Sequence, residues 1–317
     1  MDAAASRVTG PRIELMRRPP ERLPDDVLAA FTYGPRTGVA DDPRVLHTGL
    51  AAADGLPAME MWRAPGMATP GIDGAIRFRA HPEFLFGILD LDERPFSGIA
   101  DAAESAYRRV REFQSRQSQP HLLRVWNFLD AINGGDGDLE RYRQFCIGRA
   151  QGLGDLPSDK LPAATAVGRT RPAGRMQVCW LAGRQPGRPI ENPRQLRAYR
   201  YPREYGPSPP SFARAICLET GELMGSGTSS IVGHESRHDG DLVAQVDETL
   251  ENLRELHRAG GGAGVPAGIK VYLREPAAKR GIADTVCAGL GGREPPLLIE
   301  ADICRRELLV EIECLWI

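Results

Sequence analysis

Lysine is nearly absent from this 317-residue chain: of its 40 basic side chains only Lys160, Lys270 and Lys279 are lysines. The basic set is offset by 42 acidic side chains, giving a formal charge of −2. No surplus of positive charge exists to follow a phosphate backbone or an anionic membrane, so neither nucleic acid nor membrane is expected as a partner. The six cysteines (Cys146, Cys179, Cys217, Cys287, Cys304, Cys314) form no CxxC pair. That disfavours a structural zinc site or a disulfide framework and fits a reducing compartment. No window approaches the ~18 consecutive apolar residues of a membrane span. The N-terminal MDAAASRVTGPRIELMRRPP also lacks the apolar core of a signal peptide, so a cytoplasmic protein is expected. With 42% hydrophobic residues the chain can bury a real core, and its 35 glycines and 26 prolines point to a turn-rich globular fold.

Residues 1–44, with PPERLPDD and YGPRTG, read as a loose leader holding one strand near Leu28 to Tyr33. From Val45 short apolar runs (LHTGLAA, AMEMWRA, AIRFRA, FLFGILDLD) alternate with Gly, Pro and Asp, the pattern of meandering antiparallel strands. Ile99, Ala103, Ala106, Tyr107 and Val110 then recur at helical intervals, with Ser97 as candidate cap. HLLRVWNFLDAIN predicts a strand, DLERYRQFCIGRAQGL a helix and GRMQVCWLAG another strand. After the Pro-rich stretch GRQPGRPIENPRQLRAYRYPREYGPSPP, which resembles a connection between domains, the order recurs. SFARAICLE and GELMGSGTSSIVG predict a strand pair, DGDLVAQVDETLENLRELHRAG a long helix, IKVYLRE a strand and PAAKRGIADTVCAGL a helix, with LLIEADI and ELLVEIECLWI as a closing strand pair. In the long helix Leu242, Val246, Thr249, Leu250, Leu253 and Leu256 share a face. The expectation is an α+β protein whose plan, helices on one face of a mainly antiparallel sheet, is used twice: residues 45–185, then 186–317.

Several motifs fail for want of context. His234-Glu235-Ser236-Arg237-His238 spells HExxH, but Gly233 precedes it and Asp239-Gly240-Asp241 follows, so it belongs to a loop rather than to the continuous helix that zinc catalysis needs. Asp239 or Asp241 suits a helix cap. Gly225 to Ser230 lacks the GK[ST] ending of a phosphate loop, and GGGAGVP follows a helix as a cap and loop. Two segments are more informative. Tyr201 to Gly206 and Pro210 to Ala215 set Arg203 and Arg214 beside rigid prolines, which suits carboxylate binding or an exposed linker equally well. In LLVEIECLWI, Leu309, Glu311 and Glu313 share a face; two acids in apolar surroundings suit a general acid of raised pKa, or edge charges that resist aggregation.

YPREYGPSPPSFARA, SGTSSIVGHESRHDGD, AQVDETLENL, IKVYLRE and ADICRRELLVEIE, in that order, resemble the C-terminal half of the chorismatases, a family that includes 3-hydroxybenzoate synthases. RVWNFLDAIN followed by ERYRQFCIGR is similar to their N-terminal half. More distantly, each half resembles the RidA/YjgF (chorismate-mutase-like) fold. The resemblance therefore implies two fused RidA-like units in a pseudo-threefold arrangement, a monomer, and a site between the units carried mostly by the second.

The resemblance implies chorismate as substrate, pyruvate as one product, and no cofactor or metal. It makes Glu311 the acid that protonates the enolpyruvyl methylene. Cys304, seven residues before Glu311, and Gly227 in the SGT strand match the branch that aromatises the ring to 3-hydroxybenzoate rather than hydrolysing the ether to a dihydroxycyclohexadiene carboxylate. Chorismate is a dianion, so Arg203, Arg214, Arg274 and Arg305 are candidate carboxylate partners, with Tyr205 and Tyr272 as hydrogen-bond donors. From the first half, Arg124 or Asn127 are candidates to complete the cleft. The competing readings are a RidA-like imine deaminase, disfavoured by the double-length chain and the CRRE turn, and a non-catalytic small-molecule binder.

Overall fold

The amphipathic stretches become helices with the predicted faces inward. The computed structural model describes residues 10–36, 38, 39, 41–275 and 281–317. Helix α1 (Ile99–Gln114) buries Ile99, Ala103, Ala106, Tyr107 and Val110. Its N-cap is Gly98 rather than Ser97, whose N–H and hydroxyl instead donate to Asp101 inside the first turn. Helix α2 (Arg141–Leu153) lies hard against α1, because Gly148 and Gly152 present no side chain there. A Cβ on Gly148 would come within 1.9 Å of the Ala100 carbonyl oxygen. Helix α3 (Leu242–Gly260) starts at Asp241, whose carboxylate accepts from the Ala244 N–H at 3.0 Å, and ends at Gly261 in the left-handed region. Helix α4 (Ile282–Leu290) is the last; the part of its predicted span at 276–280 lies outside the described residues.

Two seven-stranded sheets carry these helices, and they repeat one topology. The first runs, in spatial order, Asp302–Ile303, Ala163–Arg169, His121–Asp130, Arg175–Gly183, Phe84–Asp92, Ile76–Ala80 and Thr69–Asp73. The second runs Arg188–Ile190, Ala215–Cys217, Leu223–Gly225, Val310–Trp316, Pro266–Leu273, Leu297–Glu300 and Ala51–Ala52. Each contains one parallel pair, joined through α2 or α4, while its other five pairings are antiparallel, so the sheets are mainly antiparallel as expected. LLIEADI and ELLVEIECLWI are not partners: Pro266–Leu273 lies between Leu297–Glu300 and Val310–Trp316. Asp302–Ile303 crosses instead to the first sheet, while Ala51–Ala52 edges the second, so the two halves exchange edge strands.

The expected loose leader is ordered where it is described. Arg12–Met16, Ala58–Arg63, Val27–Tyr33 and Val45–His47 form a four-stranded sheet, so a boundary at 45 would cut through it. All seven residues of Val27–Tyr33 are buried, and such an apolar run needs cover on both faces. The three sheets meet around Phe31, Trp62, Phe86, Trp126, Tyr272 and Leu315. Trp126 sits at the middle, with ring centroids 5.1 Å from Trp62 and 5.5 Å from Phe31. Outside this shared core, α1 and α2 cover the first seven-stranded sheet and α3 and α4 the second. Among the described residues, no helix is long and apolar enough to cross a membrane.

Candidate active site

Strand Val310–Trp316 is buried at all seven positions and lies between Leu223–Gly225 and Pro266–Leu273. It is a central strand, so the reading of Glu311 and Glu313 as edge charges does not hold. The two carboxylates share a face, with Tyr272 opposite Glu311 and Lys270 opposite Glu313. Their surroundings then push them apart. Glu313 lies 2.9 Å from Lys270 Nζ and 3.1 Å from Arg124 Nη2, and it accepts from Trp126 Nε1 at 3.1 Å and Tyr272 OH at 2.9 Å. Although burial opposes ionisation, Lys270 and Arg124 hold this carboxyl at about 2.

Glu311 has no such clamp. It is 4% exposed, and among the described residues its carboxyl group accepts from the Ser229 hydroxyl at 3.5 Å. Burial, reinforced by the negative charge of Glu313, pushes it up to about 8. The carboxyl occupies the space above Gly227, where a Cβ would lie 2.0 Å from Glu311 Oε1. Glycine at 227 is thus what leaves room for the acid. The Gly227 N–H donates to Thr165 Oγ1 at 2.9 Å, tying this segment to the first seven-stranded sheet.

Glu311 opens onto a cavity of about 340 Å³ between the two halves. One side is built from the 135–140 turn, α2 and Thr165, the other from the 201–212 segment, Gly227, Ser229 and the Cys304–Glu307 turn. The Pro-rich stretch therefore forms a wall of the site. Three arginines line the cavity with buried N–H groups that have no hydrogen-bond partner among the described residues: Nε and Nη2 of Arg149, Nε of Arg214 and Nη2 of Arg305. Each guanidinium is held by an aromatic ring, Arg149 over Tyr107, Arg214 over Tyr201 and Phe212, and Arg305 over Tyr205 at 4.0 Å. Arg214 also donates to Tyr201 OH, and Arg305 to the His234 carbonyl, so their free donors are fixed in direction. Cys304 lines the same cavity, and burial with the nearby Glu311 drives its thiol well above the usual range, leaving it protonated.

Of the residues singled out in the sequence, Glu311, Cys304, Gly227, Arg214, Arg305 and Tyr205 come together here. Arg203, Tyr272 and Arg274 do not. Arg203 lies outside the lining and is bonded at 2.8 and 2.5 Å to Asp138, bridging the two loops that border the cavity. Tyr272 is spent on Glu313. Arg274 fastens the Cys304 turn through Asp302, the Ile303 and Arg305 carbonyls and Asn133. Arg124 and Asn127 lie beneath the cavity without lining it; Asn127 is taken up by Tyr107 and the Thr165 carbonyl. Arg149 was missed, although it falls on the same buried helical stripe as Phe145, Cys146 and Gly152, an unusual place for a charge. His234 and His238 are not on a helix: a short hairpin holds His234 next to Tyr205, and His238 faces Glu248. Among the described residues no cluster of three or more His, Cys, Asp or Glu is arranged to hold a metal ion.

A family model described as Chorismatase FkbO/Hyg5-like, N-terminal, matches residues 60–182. A chorismatase of Streptomyces hygroscopicus is 35% identical across 99% of this chain and 96% of its own length. A 3-hydroxybenzoate synthase of the same organism is 33% identical across 84% of each chain. A crystal structure of a chorismatase covers 98% of this chain at 31% identity with a TM-score of 0.82, and 99% of that chain is matched in return. Sequence and architecture agree along almost the whole length, and the chain belongs to the chorismatase family.

Proposed function

We propose that this protein converts chorismate to 3-hydroxybenzoate and pyruvate, with Glu311 as the proton donor. The observation that carries this reading is a neutral carboxyl at the base of a cavity lined by guanidinium N–H groups without partners among the described residues. Held at about 8, Glu311 keeps its proton at neutral pH and can deliver it to the enolpyruvyl methylene. Arg149, Arg214 and Arg305 supply fixed positive charge for the two carboxylates of the substrate. Protonation gives an oxocarbenium ion beside the ether oxygen. Pyruvate then leaves the ring carbon with help from the neighbouring ring hydroxyl, and the ring loses a proton as it aromatises. The products together contain the atoms of chorismate, so no water is consumed, whereas the hydrolytic route adds one.

The 3-hydroxybenzoate synthase of S. hygroscopicus supports the aromatising branch, as do Cys304 and Gly227. A protonated thiol in the lining serves to fill space against the ring and keep water from the cation. Cys304→Ala opens that space, and the expected result is a product mixture shifted toward the diene diol; an unchanged ratio would remove the cysteine from the mechanism.

Incubation of the purified protein with chorismate and EDTA, with chromatography of the ring product and a parallel pyruvate assay, tests the function. Pyruvate and 3-hydroxybenzoate in equal amounts are expected. Pyruvate with a non-aromatic diol would move the protein to the hydrolytic branch, and no turnover would overturn the proposal. The pH dependence has a defined sign: Glu311 is protonated below about 8, so kcat/KM should hold through neutrality and fall as pH rises past about 8. A rate that climbs steadily above that pH would contradict an acid role.

A further inference from the structure

Beneath Glu311 lies a line of four buried charges that the reaction as described does not use. Lys270 Nζ sits 2.8 Å from Glu60 and 2.9 Å from Glu313, and Arg124 Nη2 is 3.1 Å from Glu313. The four come from all three sheets: Glu60 from Ala58–Arg63, Arg124 from His121–Asp130, Lys270 and Glu313 from the second seven-stranded sheet. Neutral donors complete the set, Tyr33 OH and Trp62 Nε1 on Glu60, Trp126 Nε1 and Tyr272 OH on Glu313. Two anions and two cations cancel. Ions this deep are costly to desolvate, and apolar side chains would hold three sheets together as well or better. Their arrangement around the acid suggests what they do.

Glu313 is two residues from Glu311 on the same strand face. Arg124 Nη2 donates to Thr165 Oγ1 at 2.5 Å, and the Gly227 N–H that flanks the Glu311 carboxyl donates to the same oxygen. Around Glu311 stand Tyr272 on the neighbouring strand, Arg214 from the 201–214 segment, Tyr142 from α2 and Cys304 from the turn; farther out the cavity is lined by Asp136, Glu140, Arg143, Arg149, Tyr201, Glu204, Tyr205, Arg305, Arg306 and Glu307. Without an anion beneath it, Glu311 would face the cations Arg124 and Arg214 uncompensated. We infer that Glu313 is a positioning residue: clamped as a permanent anion between Lys270 and Arg124, it keeps Glu311 in its neutral, proton-donating form. The inference rests on the reading of Glu311 as the acid and deepens it.

The test follows the Glu311 carboxyl directly, by 13C NMR titration of full-length protein labelled at the glutamate δ carbon, with its resonance identified by its loss in Glu311→Gln. Glu313→Gln leaves Lys270 and Arg124 with one excess positive charge, so the Glu311 midpoint should fall by about 1 to 2 pH units. The alkaline limb of kcat/KM should move down with it, with activity retained on the acid side. Glu313→Gln/Lys270→Met, which restores the charge balance, should return both toward the parent. An unmoved midpoint in a folded Glu313→Gln, or a uniform loss of rate at every pH, would overturn the inference even if Glu311→Gln is inactive. A shifted midpoint beside a fully active Glu311→Gln would count against the acid assignment instead, so the two failures are told apart. Should Glu313→Gln not fold, Lys270→Met alone is expected to raise the midpoint, and a fall or no change would overturn the proposal.

Discussion

Glu311→Gln is expected to lower chorismate turnover by about 10²- to 10⁴-fold, the range a positioned general acid supplies, while leaving chorismate binding close to that of the parent. The amide matches the carboxyl in shape and can still meet the Ser229 hydroxyl, so the cavity above Gly227 keeps its form. What is lost is a transferable proton. Because the parent carboxyl is neutral at pH 7, the substitution leaves the charge of the site unchanged, which separates proton transfer from electrostatics. Pyruvate release read beside chorismate-induced thermal stabilisation checks both halves. Near-normal turnover would remove Glu311 from the mechanism, and lost stabilisation would make it a binding residue.

Arg149→Ala carries the second large effect. The guanidinium is 3% exposed, rests on Tyr107 and has two buried N–H groups without a partner among the described residues, so it is already aimed before any ligand arrives. Removing one member of a buried, hydrogen-bonded charge pair costs about 2 to 5 kcal/mol. A fall in kcat/KM of at least about 30-fold follows, carried mainly by KM, with the alkaline limb left in place because Glu311 keeps its neighbours. Arg203→Ala provides the contrast: its guanidinium is 64% exposed and paired with Asp138 outside the lining, so at most a small change in KM is expected. Equal losses in the two variants, measured by steady-state pyruvate release, would contradict the division between binding and bordering arginines.

How far these residues could be read in advance depended on what recorded them. Helical spacing marked the inward faces of α1 and α3 well, because burial on one side of a helix leaves a periodic trace. Two acids two residues apart in an apolar strand pointed to Glu311, and the chorismatase resemblance gave Cys304 and Gly227. Strand partners were harder. Ala163–Arg169, short and rich in small residues, gave no alternating pattern, yet it supplies Thr165, and its partner strand Asp302–Ile303, with Ile303 136 positions from the Val167 it faces, is visible only in three dimensions. The composition of residues 1–44 suggested looseness, while Val27–Tyr33 at their centre is fully buried. Charge alone could not rank the arginines: Arg203 and Arg274 sat in motifs like Arg214 and Arg305, but an acid elsewhere in the chain, Asp138 or Asp302, had already claimed them.

The central claim is that the methylene of the enolpyruvyl group takes its new hydrogen from Glu311, whose proton exchanges with solvent between turnovers. Turnover of chorismate in D2O, with the pyruvate trapped at once by reduction to lactate and examined by mass spectrometry beside the ring product, tests it most directly. The account predicts 3-hydroxybenzoate accompanied by lactate carrying one deuterium in its methyl group. A methyl group free of deuterium, as direct transfer of a ring hydrogen would give, would contradict it.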